Sequence, residues 1–433
     1  MTPPGWSASA GIEQLTAEID RLLAVADAEL ESGYPGDHSG RQPVHTAYIP
    51  AHRFEAGACA AWGEQALFAL AEHAPDDATF AAATGLHPGL AGRVRPLVLD
   101  KLAAEPVEDV RIDFEDGYGV RGDETEDAHA RAAARALAEA LRADGAPPFC
   151  GLRCKSLERQ ARRRALRTLD VFLATLLDGG RRPLPPGFVI TLPKVTSAAQ
   201  VGAMALICAR LEAAHGLAWP SRLMFEIQVE TPQLIVGADG AATIARCVHA
   251  GAGRLIGLHY GTYDYSAALG IPAARQSLDH PAADYAKSVL QVAAAGTGVR
   301  LCDGSTNVLP VGTHDEITAA WRLHARLVRR SLDRGFYQGW DLHPAHLVTR
   351  YAATYAFYRE ELPAVAARLR DHAARTVRGT EEPATIMALA AFMLRALTCG
   401  ATTQNELTAL TGLSRAQLTQ ALRRGRLPAG TSS

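Results

Sequence analysis

The sequence predicts an α/β fold: a (β/α)8 TIM barrel with an N-terminal helical extension and a C-terminal helical segment. From about residue 45 onward, eight short apolar or alternating runs recur, separated by alanine-rich stretches with helical periodicity. Strict alternation of strand and helix implies a parallel sheet, and eight such units close into a barrel. The length of 433 residues suits one large barrel that carries extra segments.

The eight predicted strands are short and are bounded by turn residues. In chain order they begin at His45 (HTAYIP), Asp109 (DVRIDFED), Pro148 (PFCGLRCKS), Gly187 (GFVITLPKV), Arg222 (RLMFEIQVE), Arg254 (RLIGLHYG), Val299 (VRLCDG) and Gly339 (GWDLHP). An open, doubly wound sheet is the structural alternative. No GxGxxG or GxxxxGK[ST] loop follows the early strands, so a phosphate-cradling loop of that kind has no support.

Both ends of the chain depart from the barrel pattern. Residues 1–45 contain the amphipathic run IEQLTAEIDRLLAVADAELE, which predicts a helical extension that packs on the barrel of residues 46–375. Residues 376–433 leave the barrel through RGTEEPA and end in two helical runs, NELTALTG and SRAQLTQALRRG. Gly412 at the turn and Ser414 as N-cap make this pair similar to a helix-turn-helix.

This C-terminal pair has two interpretations. It serves as a lid or packing element, or it reads DNA through phosphate contacts of its arginines, which are Arg415, Arg423, Arg424 and Arg426. The chain has 44 basic and 46 acidic residues, so its formal charge of −2 gives no global field that attracts nucleic acid or an anionic membrane. We therefore favour the packing role and expect neither nucleic acid nor membrane as a partner.

The composition predicts a soluble, cytoplasmic protein. Hydrophobic residues make up 48% and charged residues 21% of the chain, which excludes disordered and fibrous classes. No signal-peptide pattern opens the sequence, and no stretch of about 20 uninterrupted apolar residues follows. Seven scattered cysteines without a CxxC pair indicate reduced core residues and neither a zinc site nor a disulfide framework.

Polar side chains cluster where the predicted strands end. Because the C-terminal ends of barrel strands meet at one mouth, these side chains should lie close together. They are Asp113, Glu115 and Asp116 after the second strand, Arg153 and Lys155 on one face of the third, Lys194 after the fourth, Glu226, Gln228 and Glu230 along the fifth, and Asp264 after the sixth. Lys194 is one of only four lysines in the chain, which suggests that a lysine at this position has a chemical role that arginine would not fill.

The mouth offers an oxygen-only environment of the kind that Mg²⁺ prefers. Glu230 and Asp264 come from adjacent strand ends, and the guanidinium of Arg153 can clamp a carboxylate. Mn²⁺ is the alternative ion. The glycines around Asp264 would let the backbone approach a ligand closely. Glu226 and Gln228 lie deeper in their strand and are interpreted as hydrogen-bonded core residues.

An ordered series of motifs over residues 109–350 resembles the HpcH/HpaI aldolase and citrate lyase beta-subunit family, in the barrel superfamily that also holds malate synthase. The motifs are DFEDG, GLRCKS, LPKV, QVETP, GTYDYSAALG, CDG and GWDLHP. The resemblance implies that Glu230 of VETP and Asp264 of GTYD bind the metal and that Arg153 holds the substrate carboxylate. Lys155 stands where the family usually has asparagine, and the DFED element would orient the arginine or bind metal-bound water.

The resemblance implies a Mg²⁺-dependent carbon–carbon lyase or aldolase, or a Claisen-type synthase. It would act on a 2-oxo acid or an acyl-CoA-derived substrate through an enolate whose charge the metal holds, in a homo-oligomer. The expected catalytic residues are Glu115, Asp116, Arg153, Lys155 and Lys194. The expected substrate-binding residues are Arg153, Gly261, Thr262 and Tyr263, and the expected metal ligands are Glu230 and Asp264.

Two other functions stay open from the sequence. A Schiff-base aldolase would use Lys155 or Lys194 as a nucleophile and would need an amine with a lowered pKa. A non-catalytic regulator would sense a 2-oxo acid in the barrel and bind DNA through the C-terminal pair. His259 is a candidate general acid or supporting group, and His343 is expected to fix a loop.

Overall fold

The computed structural model describes residues 8–36, 40–178, 182–218, 220–374 and 382–427. Its eight strands are β1 His45–Pro50, β2 Asp109–Asp113, β3 Phe149–Arg153, β4 Phe188–Leu192, β5 Met224–Val229, β6 Leu255–Tyr260, β7 Arg300–Cys302 and β8 Gly339–Asp341. They form one sheet in the order β7-β6-β5-β4-β3-β2-β1-β8, and every assigned pair is parallel.

The barrel closes between the two shortest strands. The backbone N–H of Asp303 donates to the carbonyl of Gln338 at 2.8 Å, and the N–H of Trp340 donates to the carbonyl of Gly304 at 3.3 Å. These bonds join the end of β7 to β8 and complete the ring. The predicted (β/α)8 barrel is therefore confirmed, and the open doubly wound sheet is wrong.

Helices surround this barrel. Those described are α1 Ala8–Gly33, α2 Ala58–His73, α3 Asp77–Thr84, α4 Pro88–Ala104, α5 Asp123–Ala140, α6 Arg162–Leu176, α7 Ala198–Ala214, α8 Pro232–Ile235, α9 Thr243–Ala250, α10 Thr262–Ala268, α11 Pro281–Ala294, α12 His314–Asp333, α13 His346–Ala374, α14 Pro383–Thr398, α15 Gln404–Thr411 and α16 Arg415–Arg424. Within the ranges given above, no helix combines the length and the hydropathy that a membrane crossing requires.

The interior of the barrel holds a buried ionic cluster beneath the mouth. Arg111 on β2 is fully buried, and its Nη2 donates to Asp109 at 2.6 Å while its Nε lies 3.2 Å from Glu226 on β5. Trp340 donates to Nδ1 of His259 at 3.2 Å, so Nε2 of His259 carries the proton that faces Glu226 at 2.9 Å. Although burial opposes it, Arg111 and His259 lower the pKa of Glu226 to about 2, while burial raises that of Asp109 to about 6.

The N-terminal helix α1 does not pack as the sequence predicted. Its apolar residues Ile12, Leu22 and Val25 are 61%, 78% and 71% exposed. The chain contacts the barrel just after α1, where the ring of Tyr34 meets His249 and the N–H of Gly36 donates to the carbonyl of Gly296. The expected packing was wrong because an apolar stripe shows that a helix has a face to cover and does not show what covers it.

The C-terminal helices follow the prediction closely. The N-cap hydroxyl of Ser414 accepts the N–H of Gln417 in a capping box, and Gly412 ends α15 in the left-handed conformation with φ of 72°. Helix α15 packs on α13, and α16 packs on α14. Most of the RGTEEPA stretch lies outside the described residues, so the boundary of residue 375 remains a prediction.

Candidate active site

Asp113 organises the loop that follows β2. Its Oδ1 accepts the N–H of Glu115 at 2.9 Å, and its Oδ2 accepts the N–H of Gly117 at 2.8 Å. A Cβ on Gly117 would lie 2.7 Å from Asp113 Oδ2, so this close turn requires glycine. Strand β2 thereby presents Glu115 and Asp116 to the mouth on a fixed backbone.

The guanidinium of Arg153 is held rigidly at the end of β3. Its Nε and Nη2 donate to the two oxygens of Asp113 at 2.6 and 2.8 Å, which is the bidentate arrangement that fits guanidinium to carboxylate. Its Nη1 donates to Gln228 at 3.3 Å and lies 3.5 Å from Glu115. The guanidinium carbon sits 4.9 Å from the ring centroid of Tyr48, which supports the group from below. Arg153 is therefore oriented before any ligand binds.

Two buried polar atoms beneath Arg153 lack partners. Nε2 of Gln228 and the hydroxyl of Tyr48 form no hydrogen bond with any described residue. A buried donor without an acceptor costs free energy, so such atoms mark a place where a ligand or water completes the bonding. Tyr48 was missed from the sequence, although its alternation with Thr46 along β1 places it on the inward face.

Lys194 contributes both its backbone and its side chain to the mouth. Its φ of 52° is unusual for a residue other than glycine and turns its N–H toward Oε1 of Glu230, at 2.6 Å. Its ammonium contacts the carboxylates of Glu115 and, at 2.7 Å, Asp116. Although burial opposes it, these two contacts raise the pKa of Lys194 above its usual value.

Glu230 and Asp264 lie together on the far side of the mouth. Gly261 follows β6 and lies against Glu230, and Asp264 stands in the first turn of α10. Burial, and then the charge of Asp264, raise the pKa of Glu230 to about 8. Asp264 is exposed at the rim, where partial desolvation and the charge of Asp116 raise its pKa. Burial and the charge of Asp116 also raise the pKa of Glu115.

The pKa values of the carboxylates at the mouth indicate whether these residues suit a divalent cation. Four carboxylates converge here, and three of them have raised pKa values because burial and mutual repulsion disfavour their charged forms. A cation among them would remove that penalty, and carboxylate oxygens are the ligands that Mg²⁺ selects. The side chains present at the mouth therefore fit the predicted Mg²⁺, and the assignment of Glu230 and Asp264 as its ligands stays a prediction.

The structure brings together six of the predicted residues and gives others different partners. Glu115, Asp116, Arg153, Lys194, Glu230 and Asp264 share the mouth. Lys155 does not join them: its ammonium donates to the carbonyls of Phe114 and Gly119 at 2.8 and 3.2 Å and lies 3.3 Å from Glu126 on α5. The predicted shared face of Arg153 and Lys155 was wrong, because β3 ends at Arg153 and alternation of side chains does not extend into the loop.

Thr262 and Tyr263 hold the loop after β7, and their expected contact with the substrate stays a prediction. The hydroxyl of Thr262 donates to the carbonyl of Ser305 at 3.1 Å, and the hydroxyl of Tyr263 accepts the N–H of Asn307 at 2.5 Å. His343 accepts the N–H of Ala345 at 3.2 Å, as a loop-fixing residue would.

A second group of potential metal ligands lies outside the barrel and has a structural explanation. His324, Asp341 and His346 offer ligand atoms within 4.8 Å of one another. Asp341, however, already binds Arg350 through Nη2 at 2.9 Å, and the rings of His324 and His346 stack with centroids 4.4 Å apart. Burial lowers the pKa values of His324 and His346, so two neutral rings pack beside the Arg350–Asp341 ion pair and join β8 to α12 and α13.

Comparison with known proteins places this barrel among similar folds. A citrate lyase from Burkholderia xenovorans LB400 is 18% identical, with a TM-score of 0.55 over 87% of this chain and 98% of that one. Haloferax volcanii malate synthase is 14% identical (TM-score 0.47, 73% and 76% covered), and Mycobacterium tuberculosis CitE is 18% identical (TM-score 0.44, 84% and 100% covered). The first of these confirms the predicted resemblance at the level of fold.

None of the curated proteins matches the chain. Residues 23–426, however, match the family described as "Domain of unknown function (DUF6986)". This match spans the barrel and extends through the C-terminal helices, so one family covers nearly the whole sequence. The chain belongs to the DUF6986 family.

Proposed function

We propose that the protein is a Mg²⁺-dependent enzyme that cleaves or forms a carbon–carbon bond next to a carbonyl, as a lyase or as a Claisen-type synthase. The substrate would be a 2-oxo acid or an acyl-CoA-derived acid. The observation that carries this proposal is the pair of crowded carboxylates, Glu230 and Asp264, facing the oriented guanidinium of Arg153 across one barrel mouth.

Bound Mg²⁺ would supply a Lewis acid for the keto and carboxylate oxygens of the substrate, where negative charge develops during the reaction. Arg153 would receive the substrate carboxylate through its Nη1 edge, because Asp113 occupies the other edge. The unpaired donors of Gln228 and Tyr48 belong to side chains that contact Arg153, and they would add hydrogen bonds to substrate oxygens. Lys194 would keep Glu115 and Asp116 in place while its N–H fixes one oxygen of Glu230.

The surroundings of both lysines favour this proposal over a Schiff-base aldolase. A Schiff-base lysine needs a neutral amine, which burial or a neighbouring cation provides by lowering its pKa. Lys194 has the opposite environment, because Glu115 and Asp116 raise its pKa. The ammonium of Lys155 donates to two carbonyls beneath the loop after β2 and contacts Glu126.

Turnover should require the metal and should leave no trapped lysine. We expect the full chain with Mg²⁺ to convert at least one of oxaloacetate, pyruvate or glyoxylate, supplied with and without acetyl-CoA. EDTA should abolish this activity, Mg²⁺ or Mn²⁺ should restore it, and borohydride with substrate should not inactivate the protein. Product analysis by mass spectrometry checks the reaction. If chelation leaves the rate unchanged and borohydride inactivates the enzyme, the proposal fails.

A methyl group at Gly261 should disrupt the metal site without touching a ligand residue. In Gly261→Ala the new Cβ would lie 2.6 Å from the Cβ of Glu230 and 2.9 Å from its Oε2, so the carboxylate must move. We expect Mg²⁺ affinity, measured by titration calorimetry, to fall by about 10-fold or more, the range seen when metal ligands lose their orientation. Gly57→Ala is the control, because nothing lies within 4 Å of that position. Equal affinity in the two variants would contradict the assignment of Glu230.

A further inference from the structure

A cleft opens at the opposite end of the barrel from the mouth, between the base of the sheet and the C-terminal helices. It comprises two adjoining cavities of about 250 and 930 Å³ that share Arg300, Arg395 and Leu422 in their walls. Arg300 is the first residue of β7, and Arg395 and Leu422 lie on α14 and α16. Because the mouth lies at the C-terminal ends of the strands, this cleft is separated from the candidate active site by the barrel interior.

The walls of the cleft carry positive charge without a matching negative charge. Arg300, Arg395 and Arg423 line it, and the described residues that line the two cavities include no aspartate or glutamate. Two buried arginines elsewhere in the chain do have carboxylate partners: Arg254 binds Glu212 and Arg350 binds Asp341. The cleft arginines therefore differ from their counterparts elsewhere in the fold.

Arg300 shows most clearly that a cation of the cleft lacks an ion-pair partner. It is largely buried, and this desolvation lowers its pKa below the usual value, since Asp109 acts on it only from a distance. Asp109 and Glu226 line a neighbouring cavity that Arg300 also borders, but both carboxylates already contact Arg111, at 2.6 and 3.2 Å. The guanidinium lies against the backbone at Gly40, where a Cβ would be 3.5 Å from Nη2. A buried cation without a counter-ion is costly, and a bound anion would relieve that cost.

Arg395 is positioned by an aromatic ring. Its guanidinium carbon lies 4.1 Å from the centroid of Tyr337, with no carboxylate within ion-pair distance among the described residues. Stacking fixes the plane of the guanidinium and leaves its N–H edge free to donate. Arg423 adds a third, exposed guanidinium at the outer wall.

We propose that this cleft binds a small phosphorylated molecule. Guanidinium groups donate pairs of parallel hydrogen bonds to phosphate oxygens, and several converging arginines suit a multiply charged anion. Leu301, Leu394 and Leu422 line the same space and provide apolar surface for the carbon part of such a ligand. The proposal is independent of the reaction at the mouth, because it uses none of those residues.

The test measures binding of inorganic pyrophosphate to the full chain by titration calorimetry in EDTA, so that no metal contributes. We expect saturable binding with one site per chain. Arg300→Gln and Arg395→Gln should each weaken pyrophosphate binding at least tenfold. Arg300→Lys keeps the positive charge but loses the paired N–H donors of the guanidinium, so its affinity should lie between those of the wild type and Arg300→Gln. Arg424→Gln is the matched control, since Arg424 neighbours Arg423 but does not line the cleft.

Thermal unfolding of each variant verifies that it is folded, and Arg300→Lys keeps the test valid if Arg300→Gln does not fold. The proposal is overturned if the wild-type chain shows no saturable pyrophosphate binding. It is equally overturned if Arg300→Lys and Arg395→Gln bind as tightly as Arg424→Gln. Loss of metal-dependent turnover in a separate assay has no bearing on either result.

Discussion

Replacing Glu230 with glutamine is expected to abolish turnover and to leave a folded protein that is more stable than the wild type. Glutamine keeps an oxygen that can accept the N–H of Lys194, so the local hydrogen bond survives. It removes the charge that would bind Mg²⁺ and that repels Asp264. We expect turnover with Mg²⁺ to fall by at least about 100-fold, since even residues that only support metal ligands cost 10- to 100-fold when mutated.

The stability gain follows from the pKa of Glu230. This carboxyl ionises near pH 4.5 in the unfolded chain and at about pH 8 in the folded one, so at pH 7 folding must take up a proton. At pH 7 this linkage amounts to about 3 kcal/mol, which glutamine avoids. In EDTA, wild-type stability should therefore decline as pH rises from about 4.5 to about 8, and Glu230→Gln should lose this part of the pH dependence.

Chemical denaturation across this pH range, together with rate measurements, checks both effects. Glu361→Gln is the matched control, because Glu361 is exposed on α13 and makes the same change of charge. If Glu230→Gln turned over substrate at the wild-type rate, Glu230 would not be a metal ligand. If its stability followed the same pH dependence as the wild type, Glu230 would not be the group whose raised pKa destabilises the folded protein.

The sequence predicted the strands and the mouth well because both follow from periodicity. Inward and outward positions alternate along a strand, and the C-terminal ends of barrel strands meet at one mouth, so Asp113, Arg153 and Glu230 were assigned to that mouth. Periodicity stops at the end of a strand. Lys155 lies two residues past that point, and its direction is decided by the carbonyls of Phe114 and Gly119, which no local pattern reveals.

Contacts between residues that are far apart in the sequence also could not be predicted from it. The pairing of Arg111 with Glu226 joins residues more than a hundred positions apart on non-adjacent strands, and the cleft around Arg300 forms only when the C-terminal helices dock. The sequence did show that Glu226 lies on a buried strand, which suggested a hydrogen-bonded core residue. It could not name a partner, because that requires knowing how the barrel closes.

The second large effect is expected at Arg111, the only cation that touches both buried carboxylates of the interior cluster among the described residues. In Arg111→Met a side chain of similar length replaces the guanidinium, and Asp109 and Glu226 lose a partner at 2.6 and 3.2 Å. Removing one member of a buried ion pair typically costs about 3–5 kcal/mol, because the remaining charge stays desolvated. We expect a loss of unfolding free energy of about this size in urea denaturation at pH 7.

The loss of unfolding free energy in Arg111→Met should be smaller when the unpaired carboxylates of Asp109 and Glu226 lose their charge. Adding Asp109→Asn and Glu226→Gln to Arg111→Met should recover most of the unfolding free energy, because no buried charge then remains without a partner. Lowering the pH should act in the same direction, since protonation of Asp109 and Glu226 removes the same charges. Arg93→Met is the control, because Arg93 is exposed on α4 and should change stability by less than about 0.5 kcal/mol. Were Arg111→Met no more costly than Arg93→Met, the ion pairs would not hold the barrel interior together, and its polar strands would need another explanation.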